Sequence, residues 1–254
     1  MSETDDLRER VAAACRVLGQ LELTDAATGH ISARIPGTDR VLIRARGPAE
    51  LGVRYTTRDE VVEVDLDGKL TKSRDDGLEV PNEVFIHTAV YRARPEVRSV
   101  VHVHPPTVVL FTICGKPLLP LYGAYDPSGA QLALAGIPTF PRSILVSNPK
   151  LGEDLVKAMG NSRVCLMRGH GITTAGPSIE DASLDAISLN KLATINYQAH
   201  LLGNPQPIPQ EDQELFKSMA DRARATPETG GKPSGRAAAL WRYYLTLTGA
   251  EKAP

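Results

Sequence analysis

The sequence predicts an α+β fold, a sandwich of helices on both faces of a mainly antiparallel sheet. Three observations predict it. Short β-branched segments with two-residue alternation are interleaved with segments of helical period, and no βαβ unit repeats. Ile31–Ile35 and Arg40–Arg44 flank Pro36-Gly37-Thr38-Asp39, which has the chemistry of a hairpin turn and makes the first strands antiparallel neighbours. The 254 residues suffice for a large core, and their length alone requires no more than one domain.

Leu7, Val11, Ala14, Cys15, Leu18 and Leu21 recur at three and four residues behind Ser2 or Thr4, predicting a capped first helix. Val61–Leu66 runs as a further strand into Asp67-Gly68. Pro81-Asn82-Glu83 opens a helix through Arg92, stopped by Arg94-Pro95. The run Val97–Val103 is a strand, ended by Pro105-Pro106. Gly136–Phe140 and Ser143–Val146 read as short extended pieces, Pro149–Met159 as a helix and Arg163–Met167 as a strand. A long helix from Ile179 to about Leu202 stops at Gly203-Asn204-Pro205. Residues 204–235 turn polar and proline-rich, as a surface arm, linker, partly disordered segment or lid would. Arg236–Thr248, with Trp241, Tyr243, Tyr244 and Leu245, is too apolar for a free tail. The division expected is therefore 1–203 as the main domain, with 204–254 as an arm and terminal helix folded onto it or onto a neighbouring subunit.

Lys plus Arg number 29 and Asp plus Glu 30, so no basic field favours nucleic acid. Apolar stretches fall short of a membrane span and the amino terminus is acidic, so no membrane partner and a cytoplasmic location are expected. Cys15, Cys114 and Cys165 lack CxxC spacing and read as buried free thiols.

Chemistry concentrates in three places. His102 and His104, two residues apart in a strand, project to one side. His170, between Gly169 and Gly171, follows a later strand. Together the three can ring a divalent metal and leave a coordination position open, the arrangement of a catalytic site. Each histidine alone is more readily explained by packing, so the constellation carries the reading, and His87 reads as packing or support. Glu83 can ligate the metal, move a proton at substrate carbon, or simply cap its helix.

Over residues 7–203 these pieces resemble the class II aldolase and adducin-head family, in order and spacing: Gly29-His30-Ile31-Ser32, Asn82-Glu83, Arg94-Pro95, His102-x-His104 and Gly169-His170-Gly171. The resemblance implies a three-layer α/β/α fold and one divalent metal per subunit on His102, His104 and His170. The metal is zinc, manganese, cobalt or ferrous iron, with Glu83 as fourth ligand or acid/base. It also implies a homotetramer with interfacial active sites. Tyr122 stands where family aldolases keep a tyrosine proton donor, although packing explains it as well.

Sugar-phosphate members bind phosphate with residue pairs that here read Gly29-His30, Arg46-Gly47 and Pro81-Asn82. His30, Arg44 and Arg46 are cationic or potentially so and suit a carboxylate, the two arginines being alternatively a solvated strand edge. The expected substrate is a small carboxylic acid contacted by His30, Arg46, Gly47 and Asn82. Within the family the Arg44-x-Arg46-Gly47-Pro48 and Gly123-Ala124-Tyr125-Asp126 segments look most like decarboxylases of hydroxylated aromatic acids, of the 3,4-dihydroxyphthalate 2-decarboxylase type. A non-haem iron oxygenase of a 4-hydroxyphenylpyruvate-like keto acid, an aldolase of a non-phosphorylated substrate and a non-catalytic adducin-like head are the rival expectations.

Overall fold

A computed structural model describes residues 2–224 and 235–249. The first helix, α1 (Glu3–Gln20), starts where Ser2 Oγ accepts the Asp5 N–H and the Asp5 carboxylate accepts the Ser2 N–H. This reciprocal cap satisfies two donors that a helix end otherwise leaves unpaired.

Seven strands follow: β1 (His30–Arg34), β2 (Arg40–Arg44), β3 (Val61–Asp65), β4 (Ser99–Val103), β5 (Thr139–Phe140), β6 (Val164–Met167) and β7 (Gly171–Gly176). They form one sheet in the order β3-β2-β1-β4-β7-β6-β5. Each neighbouring pair is antiparallel except β5 with β6. The mainly antiparallel α+β sandwich is thus the fold the chain adopts.

The remaining helices are α2 (Val84–Ala93), α3 (Pro106–Cys114), α4 (Pro127–Ala135), α5 (Pro149–Met159), α6 (Ile179–Leu202), α7 (Gln210–Arg224) and α8 (Gly235–Leu247). Side-chain alternation along β4 divides them into two layers. Val101 and Val103 share a core with residues of α1, α3, α6 and α8, whereas Val100 packs with α2 and α5. His102 therefore lies on the α2 side of the sheet, where Glu83 precedes that helix.

The structure departs from expectation in four places. Ser143–Val146 is not a strand, because this segment makes no ladder and Val146 instead gives its N–H to the Glu83 carboxylate. Residues 105–135 hold α3 and α4, whose apolar residues lack an amphipathic period and so left no helical signature. Cys114, at the end of α3, is exposed, while Cys15 and Cys165 are buried.

Within 204–235, α7 is an ordered helix resting on α4. The Ile208 N–H donates to the Pro120 carbonyl at 2.8 Å, and the Phe216 ring fills the space where Gly123 has no side chain. Residues 225–234 of that segment lie outside the described residues. Beyond them α8 packs on α6 and α1, burying Trp241 and Tyr244. Among the described residues no helix is long and apolar enough to cross a membrane.

Trp241→Ala removes most of the α8 anchor and should cost about 3 kcal/mol of stability. Urea unfolding measures it, and a variant as stable as the parent would show that α8 contributes no docking energy.

Candidate metal centre

β4 sits between β1 and β7, pairing His102 with His30 on one side and Thr173 on the other. His102 is fully buried, and its Nδ1 donates to the Ile172 carbonyl at 2.9 Å. That bond fixes the tautomer and leaves the Nε2 lone pair free for a ligand. His104 follows the end of β4, and Pro106 begins α3 directly after it. Its Nε2 lies 2.9 Å from His102 Nε2.

His170 is delivered by the turn between β6 and β7. Gly169 there has φ +60°, which disfavours residues with a side chain, and its N–H donates to Thr112 Oγ1 on α3 at 2.9 Å. At Gly171 a Cβ would stand 2.4 Å from the Val103 carbonyl oxygen and 2.7 Å from His104 Cδ2. Only glycine lets β7 pass so close to His104. Both glycines flanking His170 therefore have steric reasons.

Glu83 stands at the N-cap of α2 yet makes no capping bond. Its Oε1 accepts the Val146 N–H at 2.8 Å, and its Oε2 lies 3.5 Å from His102 Nε2 and 3.3 Å from His170 Nε2. One potential ligand atom from each of Glu83, His102, His104 and His170 lies within 4.8 Å of the others. Glu83 and His102 are buried, while His104 and His170 keep some exposure, so the cluster is open on their side.

This donor set fits a divalent cation. His170 Nδ1 is buried without a hydrogen-bond partner, and its Nε2 meets only the Glu83 carboxylate, at 3.3 Å. Two imidazole Nε2 atoms face each other at hydrogen-bond distance, and three nitrogens with one carboxylate match metals that accept mixed N and O ligands.

The electrostatics agree. Burial pushes His102 down, against the pull of Glu83, and burial with the neighbouring His102 and His170 takes His104 to about 3. Neutral imidazoles are the form that binds metal. Burial works to raise the Glu83 carboxyl, but contact with His102 and His170 outweighs it and holds the group well below the usual carboxylate range.

The other sequence-predicted residues distribute unevenly. His30 joins the cluster, its ring centroid 5.1 Å from that of His102. It is not the cation anticipated, because burial and the neighbouring imidazoles lower its pKa well below the ordinary value. Arg44 is not at a solvated edge and not free for substrate. It is buried against Glu50, with further bonds to Thr56 Oγ1 and the carbonyls of Ala27 and Gly29. Its work is to hold the backbone that leads into His30.

Arg46 is half-exposed and 3.7 Å from Glu79, and its backbone pairs with Glu79 as well. Gly47 lies against Leu78. Arg46 and Gly47 thus line the segment that delivers Asn82, exposed beside Glu83. Among the described residues none of these three makes a hydrogen bond or ion pair with the histidines.

Tyr122 packs with the opposite core, its hydroxyl buried without a hydrogen-bond partner beside Gly129. His87 supports His30, with Nε2 2.6 Å from His30 Nδ1. The Val146 N–H and Thr112 had no sequence signal, since a backbone donor and a lone threonine look ordinary in any pattern.

Residues 9–197 match the family described as class II aldolase and adducin N-terminal domain. The chain belongs to this family. It is 39% identical over 241 residues to a 3,4-dihydroxyphthalate decarboxylase of Arthrobacter keyseri, covering 94% of this chain and 92% of that one. A protein of the same description from Terrabacter sp. (strain DBF63) is 40% identical over 244 residues, covering 95% and 97%. Among solved structures, an aldolase II superfamily protein from Pseudomonas syringae superposes with a TM-score of 0.80 at 25% identity, covering 98% of this chain and 95% of that one. With this fold, these relatives and a metal-capable cluster, the chain is a carbon–carbon lyase.

The centre also makes the metal-free fold acid-sensitive. Burial holds His87 neutral, with its pKa lowered to about 3, while in the unfolded chain a histidine titrates near about 6.5. The unfolded state therefore binds the extra proton. Stability is complete above about pH 6.5 and declines as pH falls toward about 3. Melting temperatures of metal-free protein should drop from pH 7 to pH 4; a flat profile would contradict the buried neutral ring.

Proposed function

We propose that the protein is a divalent-metal-dependent decarboxylase of a hydroxylated aromatic carboxylic acid, with 3,4-dihydroxyphthalate as the first candidate. The observation that carries this is the meeting of Glu83 with His102, His104 and His170 in a chain so similar to two 3,4-dihydroxyphthalate decarboxylases. His102, His104 and His170 would hold the metal with Glu83 beside or among them; zinc, manganese, cobalt and ferrous iron all suit these donors. When bound, the ion supplies positive charge at an open position that draws substrate oxygens and stabilises the negative charge left as carbon dioxide departs.

The chain's own residues supply positioning and the proton. Glu83 is ionised at rest, so it first accepts a proton, from a ring hydroxyl of the substrate. The bond from ring carbon to carboxylate then breaks and its electron pair stays on the ring carbon. Glu83 returns the proton to that carbon. Val146 N–H holds Oε1 throughout, leaving Oε2 to face the imidazoles and the reacting atoms.

Specificity for a carboxylate rather than a sugar phosphate follows from His30 and Arg46 at the places where sugar-phosphate members of the family bind phosphate. Arg46 is loosely paired with an exposed Glu79 and can turn to a substrate anion, beside Gly47 and Asn82. His30 adds a neutral ring next to His102.

We further propose a homotetramer with active sites at subunit boundaries. Exposure of Leu110 and Ile113 on α3, the helix that follows His104, supports it. Tyr122 lies in the opposite layer of its own subunit, so any part it takes in proton delivery would come from a neighbouring subunit's copy. Residues 1–203 form the catalytic body in this reading and 204–254 an accessory arm. Three free cysteines accord with a cytoplasmic location.

Purified protein should release carbon dioxide from 3,4-dihydroxyphthalate without consuming oxygen, and a chelator should abolish this. Glu83→Gln should lower kcat by about a hundredfold or more. Oxygen uptake matching turnover would establish the oxygenase instead, and chelator-resistant activity would overturn the metal's role. Light scattering on the eluting protein should give four times the chain mass, and a monomer retaining full activity would refute the interfacial site.

A further inference from the structure

Behind the candidate metal centre four side chains form one hydrogen-bonded chain. The Tyr91 hydroxyl lies 2.8 Å from Ser32 Oγ, Ser32 Oγ lies 2.6 Å from His87 Nδ1, and His87 Nε2 lies 2.6 Å from His30 Nδ1. Ser32 and His87 are fully buried, Tyr91 is 1% exposed and His30 7%. Only the last keeps access to the site. His30 Nε2 has no protein partner among the described residues, yet it is not among the fully buried unpaired atoms.

The chain has a direction, which follows from giving every proton an acceptor. Tyr91 keeps its proton, since burial pushes the phenol up. The one acceptor within reach among the described residues is Ser32 Oγ. The Ser32 proton then has two destinations: His87 Nδ1 at 2.6 Å or the Val100 carbonyl at 3.5 Å. The second is beyond the usual range of a hydroxyl hydrogen bond.

With Nδ1 of His87 accepting, its proton sits on Nε2 and is donated to His30 Nδ1. The His30 proton is thereby on Nε2. The opposite direction leaves the buried Ser32 proton with only the 3.5 Å carbonyl, and an unsatisfied buried donor is costly.

We infer that Tyr91, Ser32 and His87 are positioning residues that lock His30 as an Nε2–H donor for an anionic substrate oxygen, a carboxylate or ring oxygen held beside His102. The inference rests on the decarboxylase reading for its substrate, although the hydrogen-bond direction stands apart from it. It explains why a fully buried histidine, itself remote from the open side of the centre, belongs to the site. It also gives His30 a use that needs no positive charge. The imidazole N–H is oriented from within the core, through His87, Ser32 and Tyr91.

Two measurements test it. In kinetics on 3,4-dihydroxyphthalate with metal-loaded enzyme, His87→Leu should lower kcat/KM about tenfold or more while metal content stays unchanged. In a His30→Gln background, where an amide supplies the donor without needing His87, the same His87→Leu change should have little further effect. Losses that multiply would show that His87 acts through the fold and not through His30, overturning the proposal, as would a His87→Leu variant with undiminished kcat/KM.

The second measurement is nitrogen-15 NMR of histidine-labelled, zinc-loaded protein, with His30→Gln to assign the resonance. His30 should carry its proton on Nε2, and a proton on Nδ1 would overturn the direction. Should the parent protein release no carbon dioxide from this acid, the decarboxylase reading fails by itself and the NMR result alone decides the hydrogen-bond chain.

Discussion

Gathering five imidazoles and a carboxylate, three of the rings buried with it, around the central strands β1, β4 and β7 is the constraint on which the rest of the structure depends. Unpaired, such groups would cost several kilocalories per mole each, because buried polar atoms lose water without replacement. The fold answers by giving most of them partners. Ile172 accepts from His102, Val146 donates to Glu83, and Ser32 with Tyr91 satisfies His87, which satisfies His30. What remains unpaired is concentrated on His170 and on the facing Nε2 atoms of His102 and His104. A cation there would complete the set.

The register of β4 between β1 and β7 makes this possible. Period-two alternation sends Val101 and Val103 into one core and His102 to the other side, toward Glu83. A one-residue slip would exchange them, placing valine in the centre and histidine among α1, α3 and α6. Gly171 contributes by allowing β7 to approach His104 more closely than any side chain would permit. The arginine that looked like a substrate anchor, Arg44, serves the same end by gripping the Gly29 carbonyl just before His30. Structural and chemical demands thus meet on the same short strands.

Much of this was legible in the amino-acid pattern. His102-x-His104 within a β-branched run and His170 between glycines announced their shared position, because strand alternation and glycine turns are local rules. The helices α1 and α5 were legible for the same reason, through periodicity and caps, and α6 through its stop at Gly203-Asn204-Pro205. The fate of Arg44 was not, since its partner Glu50 lies across a loop whose path no pattern dictates. Nor were α3 and α4, whose apolar residues follow no amphipathic period. Tyr122 illustrates the limit of motif matching: a tyrosine in the right place along the chain packs in the opposite layer of its own subunit.

The account stands or falls on whether the cluster of Glu83, His102, His104 and His170 holds a metal. Anomalous diffraction from crystals of the purified protein, collected at the absorption edges of zinc, iron, manganese and cobalt, tests this most directly. The account predicts one divalent ion about 2.0–2.2 Å from the three imidazole nitrogens. Histidine nitrogens bridged only by water, or an ion bound elsewhere on the chain, would contradict it.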